Sequence, residues 1–462
     1  MKQPKPTTPR KRPPTARRGP APSPAVAGFR PAGAAVAVAT VFAASSGSLL
    51  AQPSGAQVVH GQASFAQQGA NLVVTTQNGV GTRHSAINWQ SFSIPAGSTT
   101  RFIQPDANST SINRVLGGNP SAIFGTLSSN GKLVLVNPAG ITVGAGAVVD
   151  TAAFTASTLR MSDADALAGR LQFSADGQSA GLNADGRIVA RSGDVVLISQ
   201  NVQVGSEAVI QAPDGAAMLV AGQKVAVTGR GLEGIQLQLQ APGDRALNLG
   251  TLKGDAVGIF AGQLRHSGLI QASAASSEGG KVVLRGVESA DIGGTTTATN
   301  GQRGGQVHAT AGKVKLRSGA VIDVSAPEGG GEVLLGGGWQ GKDARIANAN
   351  ETTVEAGATV RADATSNGNG GTIVAWSDRA TTMYGDLSAR GGTSSGNGGQ
   401  VETSGHYLDM QGTVDTRAPN GKMGQLLLDP TDIYIAASLG SAQAAGMLTS
   451  DMSAESLSLI HI

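Results

Sequence analysis

Four aspartates recur at matching places in the second half of the chain: Asp323, Asp363, Asp386 and Asp415. Aligned across the coils of a solenoid, they would give the clustered carboxylates with which polysaccharide lyases and hydrolases do acid–base work. Two considerations oppose that chemistry. Stacked like charges repel, and no basic or aromatic residues interleave to seat a sugar, so solvated outward positions account better for the four. The six histidines (His60, His84, His266, His308, His406 and His461) lack metal-ligand spacing. The GNGG runs at Gly368 and Gly396 lack the aspartate of calcium-binding nonapeptides and read as plain turns. With no cysteine, disulfides and thiolate metal sites are excluded. The expectation is a protein without enzymatic activity, cofactor or metal.

The elements that would carry these residues are short strands. Gly supplies 67 of 462 residues, aromatics 3% and charged residues 14%, which suits many tight turns better than a compact aromatic core. From about residue 186 the chain repeats itself. GRIVARSGDVVLISQNVQVGS (186–206) overlays AVIQAPDGAAMLVAGQKVAVTG (208–229), with Ile188 over Val209, Asp194-Val195 near Ala216-Ala217 and Val202 over Val225. A second series begins at Gly279, Gly304, Gly329, Gly370, Gly398 and Met423, with the partners GAVIDVSA, GATVRADA, GDLSARGG and GTVDTRAP between them. One longer step holds a loop over 336–351. Val321, Asp323 and Ser325 interleave with Ile322 and Val324, the period of a half-buried strand. Units this short bury an apolar face only by stacking, about 4.8 Å apart. The fold class expected is all-β: a right-handed parallel β-helix, a three-sided solenoid with an N-terminal cap. SDADALAGRLQF (162–173) breaks the pattern and predicts a short helical extrusion capped by Ser162.

Residues 1–51 read as an export signal: a basic, Pro-rich start, a weakly apolar stretch, then LLAQPSG with cleavage after Ala51. They hold eight Lys or Arg and no acid, so the remainder has 26 basic against 31 acidic residues. The basic pI of the whole chain therefore implies no nucleic-acid partner.

Residues 56–160 carry QVVHGQASF, INWQSFSI, FIQPDANSTSINRVLGG and NGKLVLVNPAGITVGAGAVVDTAAFTASTL, in that order. This stretch resembles the haemagglutination-activity domain of filamentous-haemagglutinin-type exoproteins of two-partner secretion, most of all the high-molecular-weight adhesin branch. LLLDPTDIYI (426–435) also resembles a segment of large proteins of this type. The resemblance implies export by way of the periplasm through an outer-membrane β-barrel transporter that recognises the domain in a non-native form. It implies a secreted, extracellular or cell-surface adhesin with a host-cell or extracellular-matrix receptor. Its NPxGI element is Asn137, Pro138, Gly140 and Ile141, with Ala139 where the family commonly has Asn; the upstream NPNL motif is missing, and only Asn119-Pro120 remains.

Two readings of the element stand side by side. It is a recognition motif, or it is a corner turn in which Pro138 fixes φ, Asn137 closes an Asx turn and Gly140 supplies φ > 0. Asn88, Trp89, Asn113 and Arg114 are secondary candidates, Trp89 reading first as a cap or core aromatic. The organisation expected is signal 1–51, secretion domain 52–175, Gly-rich β-helix repeats 176–436 and a truncated end 437–462. The alternatives are a β-helical carbohydrate-active enzyme, or a carrier stalk for a distal toxin or haem-binding domain.

Overall fold

The computed structural model describes residues 52–273, 280–344, 346–429, 433–435 and 458–460. The expected signal segment lies outside the described residues, as does the expected end region apart from 458–460.

The described chain is a right-handed, three-sided parallel β-helix. Its first face stacks Ser121–Ile123, Ile141–Val143, Leu182–Ala184, Asn201–Val204 and Arg245–Asn248. The second stacks Thr126–Ser129, Val148–Thr151 and Arg187–Ala190, and the third Lys132–Val136, Ala153–Ser157 and Val195–Ser199. One residue in two points inward, and these form a continuous Val/Leu/Ile/Ala core.

The Gly-led repeats stack as the spacing predicts. Lys281 pairs with Gln306, then Glu332, Thr372, Gln400 and Gln425 in one ladder. Val321 pairs with Thr359, then Asp386 and Thr413 in another. Ile322 and Val324 are buried between half-buried Val321, Asp323 and Ser325. The overlay of the earlier pair needs two corrections. Val195 does sit over Ala217, but Ile188 sits over Ile210, and Arg187 over Val209. A slip of one residue would turn Ile188 out of the core, so the apolar pattern selects the observed register. Val202 lies over Ala246 rather than Val225, because residues 222–240 leave the coil.

The cap reverses strand polarity. Gln57–His60 runs antiparallel to His84–Trp89, and Gln62–Gln68 antiparallel to Asn71–Gln77, which then starts the parallel stack by pairing with Thr99–Ile103. Phe65 meets Trp89 edge-on at 5.6 Å and Trp89 meets Phe92 at 5.4 Å, closing the end of the core.

The extrusion is shorter as a helix and larger as a unit than expected. Helix α1 is Asp163–Ala168; the Ser162 Oγ accepts from the Asp165 N–H at 3.0 Å, and Gly169 stops the helix at φ 65°. The remaining LQF is strand: Leu171–Ser174 pairs antiparallel with Lys224–Val227, which pairs with Ile235–Leu239. This side sheet covers the outward face of the third-face strands. KLVLV and VVLIS are consequently buried on both faces and read as apolar runs rather than alternations. The Ser162→Ala variant is expected to cost about 1 kcal/mol locally. Amide hydrogen exchange across 163–169 should rise roughly fivefold with no change elsewhere.

Candidate functional site

The strand Lys132–Val136 ends at Asn137, whose side chain is fully buried. Its amide donates to the Asn119 carbonyl at 3.0 Å and to the Ser121 Oγ at 2.9 Å, while its Oδ1 accepts the Ala139 N–H at 3.0 Å. That last bond is the expected Asx turn. Gly140 takes φ 119° and donates its N–H to the Asn137 carbonyl at 3.0 Å, and Ile141 re-enters the core. Pro138 is half-buried, and its carbonyl accepts from Ala180 of the next coil. The element thus bolts together three coils, with the Asn119-Pro120 corner on one side and 180–181 on the other.

The secondary candidates occupy two sides of one strand pair. Asn113 points into the core, where its Oδ1 accepts the Trp89 indole N–H at 2.9 Å and its amide reaches Ser111. Asn88 and Arg114 point outward beneath the extrusion. The Arg114 guanidinium donates twice to Asn88 Oδ1 (3.0 and 2.8 Å), to the Met161 carbonyl (3.1 Å) and to Asp163 (2.5 Å). Arg114 is buried whereas the Asp163 side chain is 85% exposed, so the carbonyl and amide acceptors hold the guanidinium more than the ion pair does. Trp89 is a core aromatic. A groove of about 500 Å³ brings the two groups together: Arg114, Leu116, Pro138, Ala139, Arg160 and Asp176 line it, with Leu116 62% exposed.

The aspartates do not form a facing pair. Asp323 lies over Arg361, then Ser388 and Asp415, while Asp386 lies between Thr359 and Thr413. The outward, solvated reading holds for Asp386 but fails for Asp363. That residue is buried and accepts from Ser388 Oγ at 2.6 Å, the Arg390 N–H at 2.7 Å and the Arg390 guanidinium at 2.9 Å. Arg361 and Ser388 separate Asp323 from Asp415, and threonines flank Asp386, so these ladders form no column of repelling carboxylates.

Sequence spacing gave no sign of two histidine sites. His60 and His84 stack with ring centroids 4.2 Å apart. The His84 Nε2 reaches the Leu167 carbonyl at the end of α1, and the His60 Nε2 reaches the Thr82 hydroxyl. Burial, and then the neighbouring His60, hold the His84 imidazole below its ordinary pKa, with the helix carbonyls opposing. Further along, His266 is fully enclosed beside Asn248, and burial pushes it down to about 4. No cluster of three metal-binding side chains occurs among the described residues.

The TPS secretion domain family model matches residues 50–333, more than half of the chain. The crystal structure of the HMW1 secretion domain from Haemophilus influenzae superposes with a TM-score of 0.71 at 32% identity, covering 81% of this chain and 100% of that one. A heme/hemopexin-binding protein from Haemophilus influenzae (strain ATCC 51907 / DSM 11121 / KW20 / Rd) is 40% identical over 106 residues, 23% of this chain and 11% of its own length. Another Haemophilus influenzae heme/hemopexin-binding protein is 40% identical over 78 residues, 17% of this chain and 8% of that protein. The matched segments thus span about a tenth of those curated relatives.

Proposed function

The chain belongs to the TPS secretion domain family, and from that premise we propose that it directs an exoprotein across an outer membrane through a dedicated β-barrel transporter. The burial of Asn137 carries the reading further. In the folded coil its amide and carbonyl oxygen are both consumed by Asn119, Ser121 and Ala139, and nothing of the side chain is left for a partner to read. A transporter that uses this residue meets it before the coil closes. Folding outside then hides the motif and makes export one-way.

The test is export of the full chain in a Gram-negative host, with and without candidate partner barrels. Partner-dependent appearance in the medium is the expected result. Asn137→Ala should lose export, while a Phe154→Leu core variant tuned to equal instability keeps it. Release without any barrel, or equal loss in both variants, would overturn the reading.

Downstream of delivery, the proposed role is adhesion to a host-cell or matrix receptor at the cell surface. A haem-carrying role is favoured by one observation, the 40% identity to proteins named for heme and hemopexin binding. Spectrophotometric titration of the exported chain with haemin separates the two: a saturable Soret shift supports haem carriage, and a flat titration leaves adhesion. The carbohydrate-active enzyme reading gains no support from these aspartates: Asp363 and Asp415 pair with Arg390 and Arg417, Asp386 accepts from Thr413, and Asp323 accepts from the Ser325 N–H.

A further inference from the structure

Residues 336–344 and 346–350 leave the coil after Glu332–Leu335 and return at Glu351–Val354, beyond the 50–333 that the family model matches. They form a strap over the outward side of three successive coils, where Leu334, Val374 and Glu402 stack in one column. Trp339 and Ile346 of the strap pack with Leu334, Val374 and Trp376 in a cluster apart from the main core. Gly337 and Gly341 lie against the Trp376 indole, where an added Cβ would come within 2.6 and 2.5 Å of the ring. Asn348 ties the strap to itself and to the coil, donating to the Gly341 carbonyl at 3.1 Å and to Asp378 at 2.9 Å. Gln340 is the one non-glycine among the described residues with positive φ, 54°, a conformation that L side chains rarely adopt. Its N–H donates to the Glu402 Oε2 at 2.8 Å. Glu402 is fully buried, and its Oε1 is enclosed without a partner.

A carboxylate buried in an apolar column is costly unless a donor meets it, and a strained backbone persists only where its surroundings hold it. Gln340 and Glu402 each supply what the other lacks, across 62 residues of chain. We propose that the strap is a latch: it closes only after the strand Gln400–Met410 has stacked, and it then holds the three coils so that they open together. The order follows from where the contacts originate. Leu334 belongs to the coil from which the strap springs, whereas Trp376 arrives one coil later and Glu402 two coils later. Until then the Gln340 N–H has no acceptor, and Gly337 and Gly341 have no indole to close upon. Coils of a solenoid otherwise touch only their neighbours and fray one at a time.

Pulse-labelled hydrogen exchange during refolding of the full chain should show 332–335 protected first and Gln340 no earlier than 401–404. In the native chain, trypsin cleavage after the exposed Lys342 reads the open latch. Glu402→Leu suits its apolar neighbours but offers no acceptor, and cleavage should rise about tenfold. The ladder amides of 373–375 and 401–403, which share one opening rate in the wild type, should then separate, with the later coil exchanging faster. Glu402→Gln keeps an acceptor oxygen and should stay near the wild-type rate. Gly337→Ala sets a methyl against Trp376 and should open the strap with Glu402 untouched. Matching circular dichroism will show that the coils are kept. Protection of Gln340 ahead of 401–404 overturns the proposal, and that readout needs no variant. So does cleavage at the wild-type rate in Glu402→Leu or Gly337→Ala, or an equal rise in Glu402→Gln and Glu402→Leu.

Discussion

Asn137→Ala lowers the stability of the folded domain by about 3 kcal/mol, one of the two largest losses expected outside the apolar core. The substitution removes no apolar contact of consequence. It strands three partners at once: the buried Ser121 hydroxyl, the N–H of half-buried Ala139 and the carbonyl of Asn119 at the neighbouring corner. A methyl group meets none of them, and the Ser121 hydroxyl, fully enclosed, has no water to replace the lost amide. Denaturant unfolding of the purified chain measures the loss. Hydrogen exchange locates it, with Ser121 and Ala139 gaining exchange first. The neighbouring Ala139→Asn, which restores the residue common in the family, should move stability by less than about 0.5 kcal/mol, because Ala139 is half-buried and contributes only its backbone to the turn. If Asn137→Ala unfolds at the wild-type denaturant concentration, the corner is not structural, and its side chain is kept for recognition alone.

What the sequence disclosed and what it hid divide along a physical line. The ladders from Lys281 to Gln425 and from Val321 to Thr413 were legible, because each coil repeats a Gly-led turn at nearly constant spacing and period-two alternation fixes the inward face. The corner at Asn137 was legible as well, since Asn-Pro-x-Gly specifies turn chemistry locally. The side sheet was not. Leu171–Ser174 finds its partner in Lys224–Val227, more than fifty residues on, and no local signal announces an antiparallel pair that only two separate excursions create. For the same reason the spacing of Val202 and Val225 suggests a stacked pair, although the chain leaves the coil before Val225 and Val202 stacks on Ala246.

The secondary site residues show a different limit. Asn88, Asn113 and Arg114 are residue types that suggest contact with a partner, yet all three are buried. Asn113 braces the Trp89 indole inside the core, and Arg114 rivets the extrusion to the coil through the Met161 carbonyl. Polarity marks a residue that needs partners; it does not say whether those partners are in the same chain. The stacked His60–His84 pair was hidden by separation in sequence, being joined only when the cap strand folds back on the first coil.

Acid should loosen the coil well before its carboxylates titrate, and His266 is the principal cause. In the folded chain its Nδ1 accepts from the Asn248 amide at 3.1 Å, so the neutral tautomer carries its hydrogen on Nε2. A proton on Nδ1 would set N–H against N–H inside a fully enclosed site, and burial accordingly lowers the pKa from 6.5 to about 4. The unfolded chain, with the ordinary value, takes up that proton first. Stability is therefore complete above pH 6.5, falls as the pH drops toward 4, and is lost by about 3 kcal/mol at the end of that window. His84, shifted the same way, adds to the slope. Denaturant unfolding at pH 7, 5.5 and 4 measures it. In Asn248→Leu/His266→Leu the polar pair is gone, so the difference in slope between wild type and variant isolates the buried imidazole from groups such as Glu355, whose depressed pKa brings its own loss at lower pH. Equal slopes would mean that the interior admits the proton freely, through water or a turned amide, and that this core is less dry than its packing indicates.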